Sequence, residues 1–166
     1  ATLSAGGMTI CVLASGVDVV ILTTPPGFRP QHLRKAIEAG KHVFCEKPVA
    51  VDAPGVRSVI ESARMAQEKK LNIVCGFCWR YEFARREAFG LIHDGAIGDI
   101  NSVYSTYYTG PVKPMPEASA RREGESDVEW QVRNWYNFSW LSGDSLVEQA
   151  VHSVDKIAWA MKDIDP

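Results

Sequence analysis

The chain of 166 residues has little that would suit it to a membrane or a nucleic acid. No apolar run approaches the roughly 18 residues that a membrane-spanning helix needs. The formal net charge is −2, whereas binding to a phosphate backbone needs a basic face. We therefore expect neither a membrane nor a nucleic acid as a partner. The 46% of hydrophobic and 23% of charged residues are typical of a globular protein.

Cysteines are also few, namely Cys11, Cys45, Cys75 and Cys78. Three lie in apolar, strand-like stretches, which favours buried thiols over a disulfide framework. Cys75 and Cys78 have the spacing of a redox motif, but no second cysteine pair or His cluster accompanies them. We predict no metal site.

Residues 1–15 show no signal-peptide pattern, so a cytoplasmic location is expected, with an export signal ahead of residue 1 as an open alternative.

The first half of the chain alternates buried strands with amphipathic helices. Three apolar, β-branched runs are predicted as strands that are buried on both faces: 17–24, 43–45 and 71–77. Pro30 suits the first turn of one intervening helix and Asp52 the N-cap of the next, while Gly40 suits a helix end. Strand, helix, strand, helix, strand with short connections predicts an α/β fold with a parallel sheet.

The pattern changes after Trp79 and Arg80, and we place a domain boundary near residues 79–82. The predicted domains are therefore 1–80 and 81–166. Residues 100–109 predict a longer strand with one wet face, which suits an antiparallel sheet. Residues 110–128 predict a polar loop, and one helix is predicted from residues 142–144 to about Lys162.

Polar residues lie at or just beyond the end of each predicted strand of the parallel sheet. The first strand ends in Thr23 and Thr24, Glu46-Lys47-Pro48 follows the second, and Arg80 comes after the third. The carboxyl ends of parallel strands meet at one edge, where ligands bind in open α/β sheets. An ordinary polar strand end stays open as an alternative, most of all for Arg80 and His32.

The last helix carries a second polar group. Glu148, His152, Asp155 and Trp159 are spaced to share one face. The flanking carboxylates could orient the imidazole and raise its pKa toward the range of a general acid or base. A salt-bridged surface face around Lys156 and a metal site of Glu148, His152 and Asp155 are the alternatives.

The segment from Ala39 to Pro48, "AGKHVFCEKP", resembles the Gfo/Idh/MocA oxidoreductases, the family of glucose-fructose oxidoreductase and inositol dehydrogenase. The strand 17–26, residues 95–100 and the His152–Asp155 segment match in the same order. The resemblance implies the C-terminal half of a Rossmann-type parallel sheet, followed by the start of an α/β domain with an antiparallel sheet. It implies NAD or NADP as cofactor, Lys47 and His152 as catalytic residues with Glu148 as partner, and a cis Lys47–Pro48 peptide. The residues expected near the cofactor are Thr23, Thr24, Pro25, Pro26, His32, Glu46, Lys47, Pro48 and Arg80.

The family's Gly-rich phosphate-binding turn is missing from the sequence, so we expect an internal part of a longer protein that binds a dinucleotide poorly alone. The leading hypothesis is a dehydrogenase of a sugar or polyol, with homo-oligomers expected for the intact protein. A glycosidase that oxidises its substrate transiently, and a non-catalytic nicotinamide-binding protein, are the alternatives. The aromatic segment around Trp130 and Trp140 suits sugar stacking or a core equally well.

Overall fold

The computed structural model describes residues 16–162 and contains a parallel three-stranded sheet. The strands are β1 (Val19–Leu22), β2 (His42–Cys45) and β3 (Ile73–Cys75), in the order β1-β2-β3. Helix α1 (Arg29–Glu38) connects the first two strands and helix α2 (Ala53–Glu68) the last two. The predicted α/β class with a parallel sheet is confirmed.

The predicted helix signals lie where expected. Pro30 is in the first turn of α1, and Gly40 just beyond its end has a φ of 74°, a backbone conformation that favours glycine. The Asp52 carboxylate caps α2 by accepting a hydrogen bond of 2.7 Å from the Gly55 amide. The strands pair in parallel with Leu22, Cys45 and Cys75 in register, so their carboxyl ends lie at one edge of the sheet.

The hydrophobic core lies between the sheet and the two helices. Its buried members come from β1, β2, α1 and α2: Leu22, Leu33, Ala36, Ile37, Val43, Cys45 and Ala66. The prediction that each strand is buried on both faces is wrong for β1. Val19 and Ile21 are 57% and 66% exposed, because alternate residues of a strand point to opposite faces and the core helices pack on the other face.

The second half of the described chain is mainly helical. Its α-helices are α3 (Phe83–His93), α4 (Asp127–Arg133), α5 (Ser139–Ser142) and α6 (Val151–Ala160). The predicted strand 100–109 is wrong, since these residues join no ladder within the described chain. A strand needs a neighbour that supplies its hydrogen bonds, and the residues that the structure describes supply none. Trp130 is buried in α4, whereas Trp140 in α5 is 47% exposed.

The helix predicted from residues 142–144 to about Lys162 is confirmed, since residues 144–160 are helical without a break, but it contains a π-helical turn that was not predicted. Gly143 and Asp144 have φ values of 79° and 72°, which end α5. A π-helical turn, Leu146–Ala150, then leads into α6. Such turns are rare and often occur at functional sites.

The two halves of the chain meet where residues Pro26–Phe28 form a 3₁₀ turn after β1. A Cβ on Gly27 would lie 2.5 Å from the carbonyl oxygen of Trp140, so only glycine permits this approach. The Phe28 ring also packs edge-on against Trp140, with centroids 6.1 Å apart. These contacts pack α5 against the 3₁₀ turn.

No helix among residues 16–162 is both long and apolar enough to cross a membrane.

Candidate active site at the carboxyl edge of the sheet

Lys47, just beyond the end of β2, forms a buried ion pair with Glu148. Its Nζ lies 3.1 Å from Glu148 Oε1 and also donates to the main-chain carbonyl of Glu148. The two side chains are 12% and 10% exposed. The structure therefore brings together two of the three predicted catalytic residues, across the junction between the halves of the chain.

Glu148 lies in the π-helical turn, in surroundings that oppose its charge. Burial raises the pKa of the Glu148 carboxyl, while Lys47 and then Arg29 act in the opposite direction. Its Oε2 is buried and has no hydrogen-bond partner among the described residues. That oxygen is therefore available to accept a hydrogen bond from a ligand hydroxyl.

His152, the third predicted catalytic residue, lies in the first turn of α6 and is 8% exposed. Its imidazole packs on the Trp79 ring with centroids 4.6 Å apart, and the Phe77 and Tyr107 rings lie 6.2 and 6.3 Å away. Its Nδ1 is buried without a hydrogen-bond partner in the described part of the chain. This aromatic packing fixes the plane of the imidazole and leaves Nδ1 as an unused acceptor or donor.

The expectation that flanking carboxylates raise the pKa of His152 is wrong. The pKa of His152 is lowered, first by burial and then by the cations Lys47, Lys156 and Arg85. The Lys156 ammonium lies 4.5 Å and the Arg85 guanidinium 4.3 Å from the centre of the Trp79 ring. Burial and cations close to the imidazole disfavour its protonated form, so the neutral form of His152 is favoured.

Asp155, the carboxylate expected after His152, forms an ion pair with Arg80. The Arg80 Nε lies 2.9 Å from Asp155 Oδ1, and the guanidinium is 5.6 Å from the centre of the Trp159 ring. These contacts tie Arg80 to α6. Its predicted place near the cofactor stays a prediction.

The residues after β1 form a small polar contact with α1. Thr24 Oγ1 lies 3.0 Å from His32 Nδ1. His32 is 7% exposed, and burial lowers its pKa. Thr23 is exposed, whereas Pro26 is buried at the start of the 3₁₀ turn, with Pro25 half-buried before it.

Glu46 and Pro48 flank Lys47 and are held closely by the strands. A Cβ on Gly76 would come within 2.7 Å of Glu46 Oε2 and 3.1 Å of the Glu46 Cα. Only glycine after β3 therefore leaves room for the Glu46 carboxylate. Pro48 is buried, and the Lys47–Pro48 peptide is cis, as the resemblance implies.

Arg29 and Tyr107 also belong to this site, although neither was predicted from the sequence. Arg29 is buried at the start of α1, and the Tyr107 hydroxyl donates to Gln149 Oε1 at 2.9 Å. A signal for Arg29 was available, because a cation at the N-terminus of a helix opposes the helix dipole. Tyr107 offered no such signal, since aromatic residues are common in the strand that was predicted there.

The sequence profile of the GFO_IDH_MocA oxidoreductase family, described as having an NAD-binding Rossmann fold, matches residues 11–77. Inositol 2-dehydrogenase 3 from Saccharopolyspora erythraea is 32% identical over 89% of this chain and 44% of its own length. The chain belongs to the Gfo/Idh/MocA family.

Solved structures of similar proteins share the fold of this family member. Scyllo-inositol dehydrogenase from Lactobacillus casei, solved with NAD(H) and scyllo-inositol, is 26% identical with a TM-score of 0.63, over 92% of this chain and 40% of that one. An oxidoreductase domain protein from Kribbella flavida has a TM-score of 0.75 at 24% identity, over 93% of this chain and 38% of that one. The chain thus spans less than half the length of these relatives.

Proposed function

We propose that the protein acts as an NAD(P)-dependent dehydrogenase of a polyol, of which inositol is the model substrate. The observation that carries the proposal is the convergence of Lys47, Glu148 and His152 at the carboxyl edge of a parallel sheet. The names of the inositol dehydrogenases that resemble the chain support the polyol class.

The strand ends fit the nicotinamide end of a dinucleotide. Gly76 leaves a space that the Glu46 carboxylate occupies, with Thr24 and Pro26 at the adjoining strand end. A carboxylate can accept hydrogen bonds from a carboxamide or a ribose, and a hydroxyl can accept or donate them. When bound, the nicotinamide ring supplies the hydride acceptor for oxidation and the hydride donor for reduction.

The residues of the chain would manage the proton of the substrate hydroxyl. Burial and nearby cations lower the pKa of His152 and favour its neutral form, and its unpartnered Nδ1 can accept that proton during oxidation. The Lys47 ammonium stabilises negative charge that develops on the substrate oxygen. Glu148 holds Lys47 in place, and its free Oε2 accepts a hydrogen bond from a neighbouring hydroxyl of a polyol.

The test is a panel of cyclic polyols and sugars with NAD or NADP, using the full-length protein. Replacing Lys47 (K47M) should lower kcat for the best substrate by orders of magnitude and leave cofactor affinity within a few-fold. Replacing Lys41 (K41M), directly before β2, is the matched control and should keep wild-type kcat. Unchanged kcat in K47M, or release of a free sugar without net reduction of the cofactor, would contradict the proposal.

A further inference from the structure

Arg29 is a buried cation that the proposed chemistry does not use. It is 4% exposed and is the first residue of α1. Burial lowers the pKa of its guanidinium, although an arginine stays charged at neutral pH. Burying a charge is costly unless hydrogen bonds and opposite charges offset the cost, and a helix N-terminus adds an unfavourable dipole. The position therefore requires specific partners.

Those partners lie on the two sides of Lys47. One nitrogen of Arg29, Nη1, donates to the carbonyl of Glu46 at 3.0 Å and to the carbonyl of Pro48 at 2.6 Å. The same guanidinium is near enough to the Glu46 and Glu148 carboxylates to interact with their charges. A single buried group thus fixes the backbone before and after Lys47 and adds positive charge beside its ion-pair partner.

We propose that Arg29 is a positioning residue that sets the direction of Lys47 toward Glu148 and the substrate. Its kinetic consequence rests on the proposed function, whereas its effect on the Lys47 side chain does not. Without the guanidinium, the carbonyls of Glu46 and Pro48 lose the hydrogen bonds from Arg29, and the turn at Lys47 is free to shift. A displacement of about 1 Å in an active site can lower the rate by about 10²-fold.

The test compares R29M with R34M in the full-length protein. Arg34 is the matched control because it lies on the same helix, where its ion pairs with Glu38 and Glu61 are largely exposed. We expect kcat to fall by about 10²-fold in R29M, with KM for the cofactor within a few-fold of wild type. R34M should keep both constants. A rise in the cofactor KM with unchanged kcat, or equal kcat in both variants, would contradict the positioning role.

A second measurement reads the position of Lys47 without any activity. The rate of amine acylation at Lys47 is followed by mass spectrometry in wild type, R29M and R34M. The buried Lys47 should be slow to react in wild type and R34M and several-fold faster in R29M. If no polyol is oxidised but this difference is found, the proposed function fails and the role of Arg29 stands.

If R29M does not fold, the same measurements are made on R29K. Lysine retains the cation but offers a compact ammonium in place of the guanidinium fork. We expect R29K to fold, to label Lys47 at a rate between those of wild type and R29M, and to regain part of kcat. A folded R29M or R29K in which Lys47 reacts at the wild-type rate would overturn the inference.

Discussion

Removing Lys47 should destabilise the protein by leaving Glu148 as a buried carboxylate without its ion-pair partner. The two side chains are 12% and 10% exposed and their charged atoms lie 3.1 Å apart. Breaking a buried pair by removing one partner costs about 3–5 kcal/mol. Because Arg29 also favours the charged form of Glu148, we expect K47M to lose the lower amount, about 3 kcal/mol of the free energy of unfolding.

The double variant K47M/E148Q isolates the cause. Glutamine removes the stranded charge, so most of the stability should return, to within about 1 kcal/mol of wild type. The assay is urea denaturation followed by tryptophan fluorescence at neutral pH, with K41M as the control. Equal losses in K47M and the double variant would show that lost packing, and not the uncompensated charge, is responsible.

The loss in K47M should also depend on pH in a defined direction. Burial raises the pKa of Glu148 above 4.5, and Lys47 counteracts this effect, so the pKa rises further in K47M. The folded state of K47M then binds a proton more readily than the unfolded state. The stability deficit should therefore be smallest below pH 4.5 and grow as the pH rises through the raised pKa of Glu148.

Three further predictions follow from individual contacts. K156M removes one of the cations that lower the pKa of His152. The pKa of His152, read from the acid side of the pH profile of kcat/KM for polyol oxidation, should therefore rise. An unchanged profile would disprove the electrostatic explanation. G76A brings a methyl group to 2.7 Å from Glu46 Oε2, and such overpacking costs about 1–3 kcal/mol, measurable as a lower urea midpoint; an unchanged midpoint would contradict the close contact. Burial raises the pKa of the Cys45 thiol to about 11, so iodoacetamide should modify it at neutral pH only after unfolding; rapid modification of the folded protein would contradict its burial.

The parallel sheet and its polar edge could be predicted because their signals are local. Each strand is a short apolar run, and Pro48 and the Asp52 cap mark where β2 ends and α2 begins. Parallel strands bring their carboxyl ends together whatever the details of packing. The family resemblance implied that Lys47 and His152 belong to one site. The structure shows in addition that Lys47 Nζ contacts Glu148 Oε1.

The failed predictions concern features that depend on distant parts of the chain. Residues 100–109 have the composition of a strand, but a strand forms only where a neighbour pairs with it. The lowered pKa of His152 depends on Lys47, Arg85 and Lys156, which come from three separate segments. Close to His152 in the sequence lie both carboxylates, Glu148 and Asp155, but only one of the three cations, Lys156.

The π-helical turn that carries Glu148 is a local feature of the predicted helix that the sequence did not indicate. Leu146–Ala150 has ordinary helix-forming residues, so periodicity predicts a regular α-helix there. Residues Leu146–Ala150 instead form a wider π-helical turn, and the side chain of Glu148 contacts Lys47. The i, i+4 spacing of a regular α-helix therefore does not describe how Glu148 and His152 are placed relative to each other.

In the proposed reaction, a hydride passes between a polyol carbon and a nicotinamide at a site formed by Lys47, Glu148 and His152. The most direct measurement uses a cyclic polyol that carries deuterium on the carbon to be oxidised. After turnover by the full-length protein, the reduced cofactor is analysed by mass spectrometry. One deuterium is expected in each reduced nicotinamide, with the yield strongly reduced in K47M. Turnover of the polyol without deuterium in the cofactor would contradict direct hydride transfer.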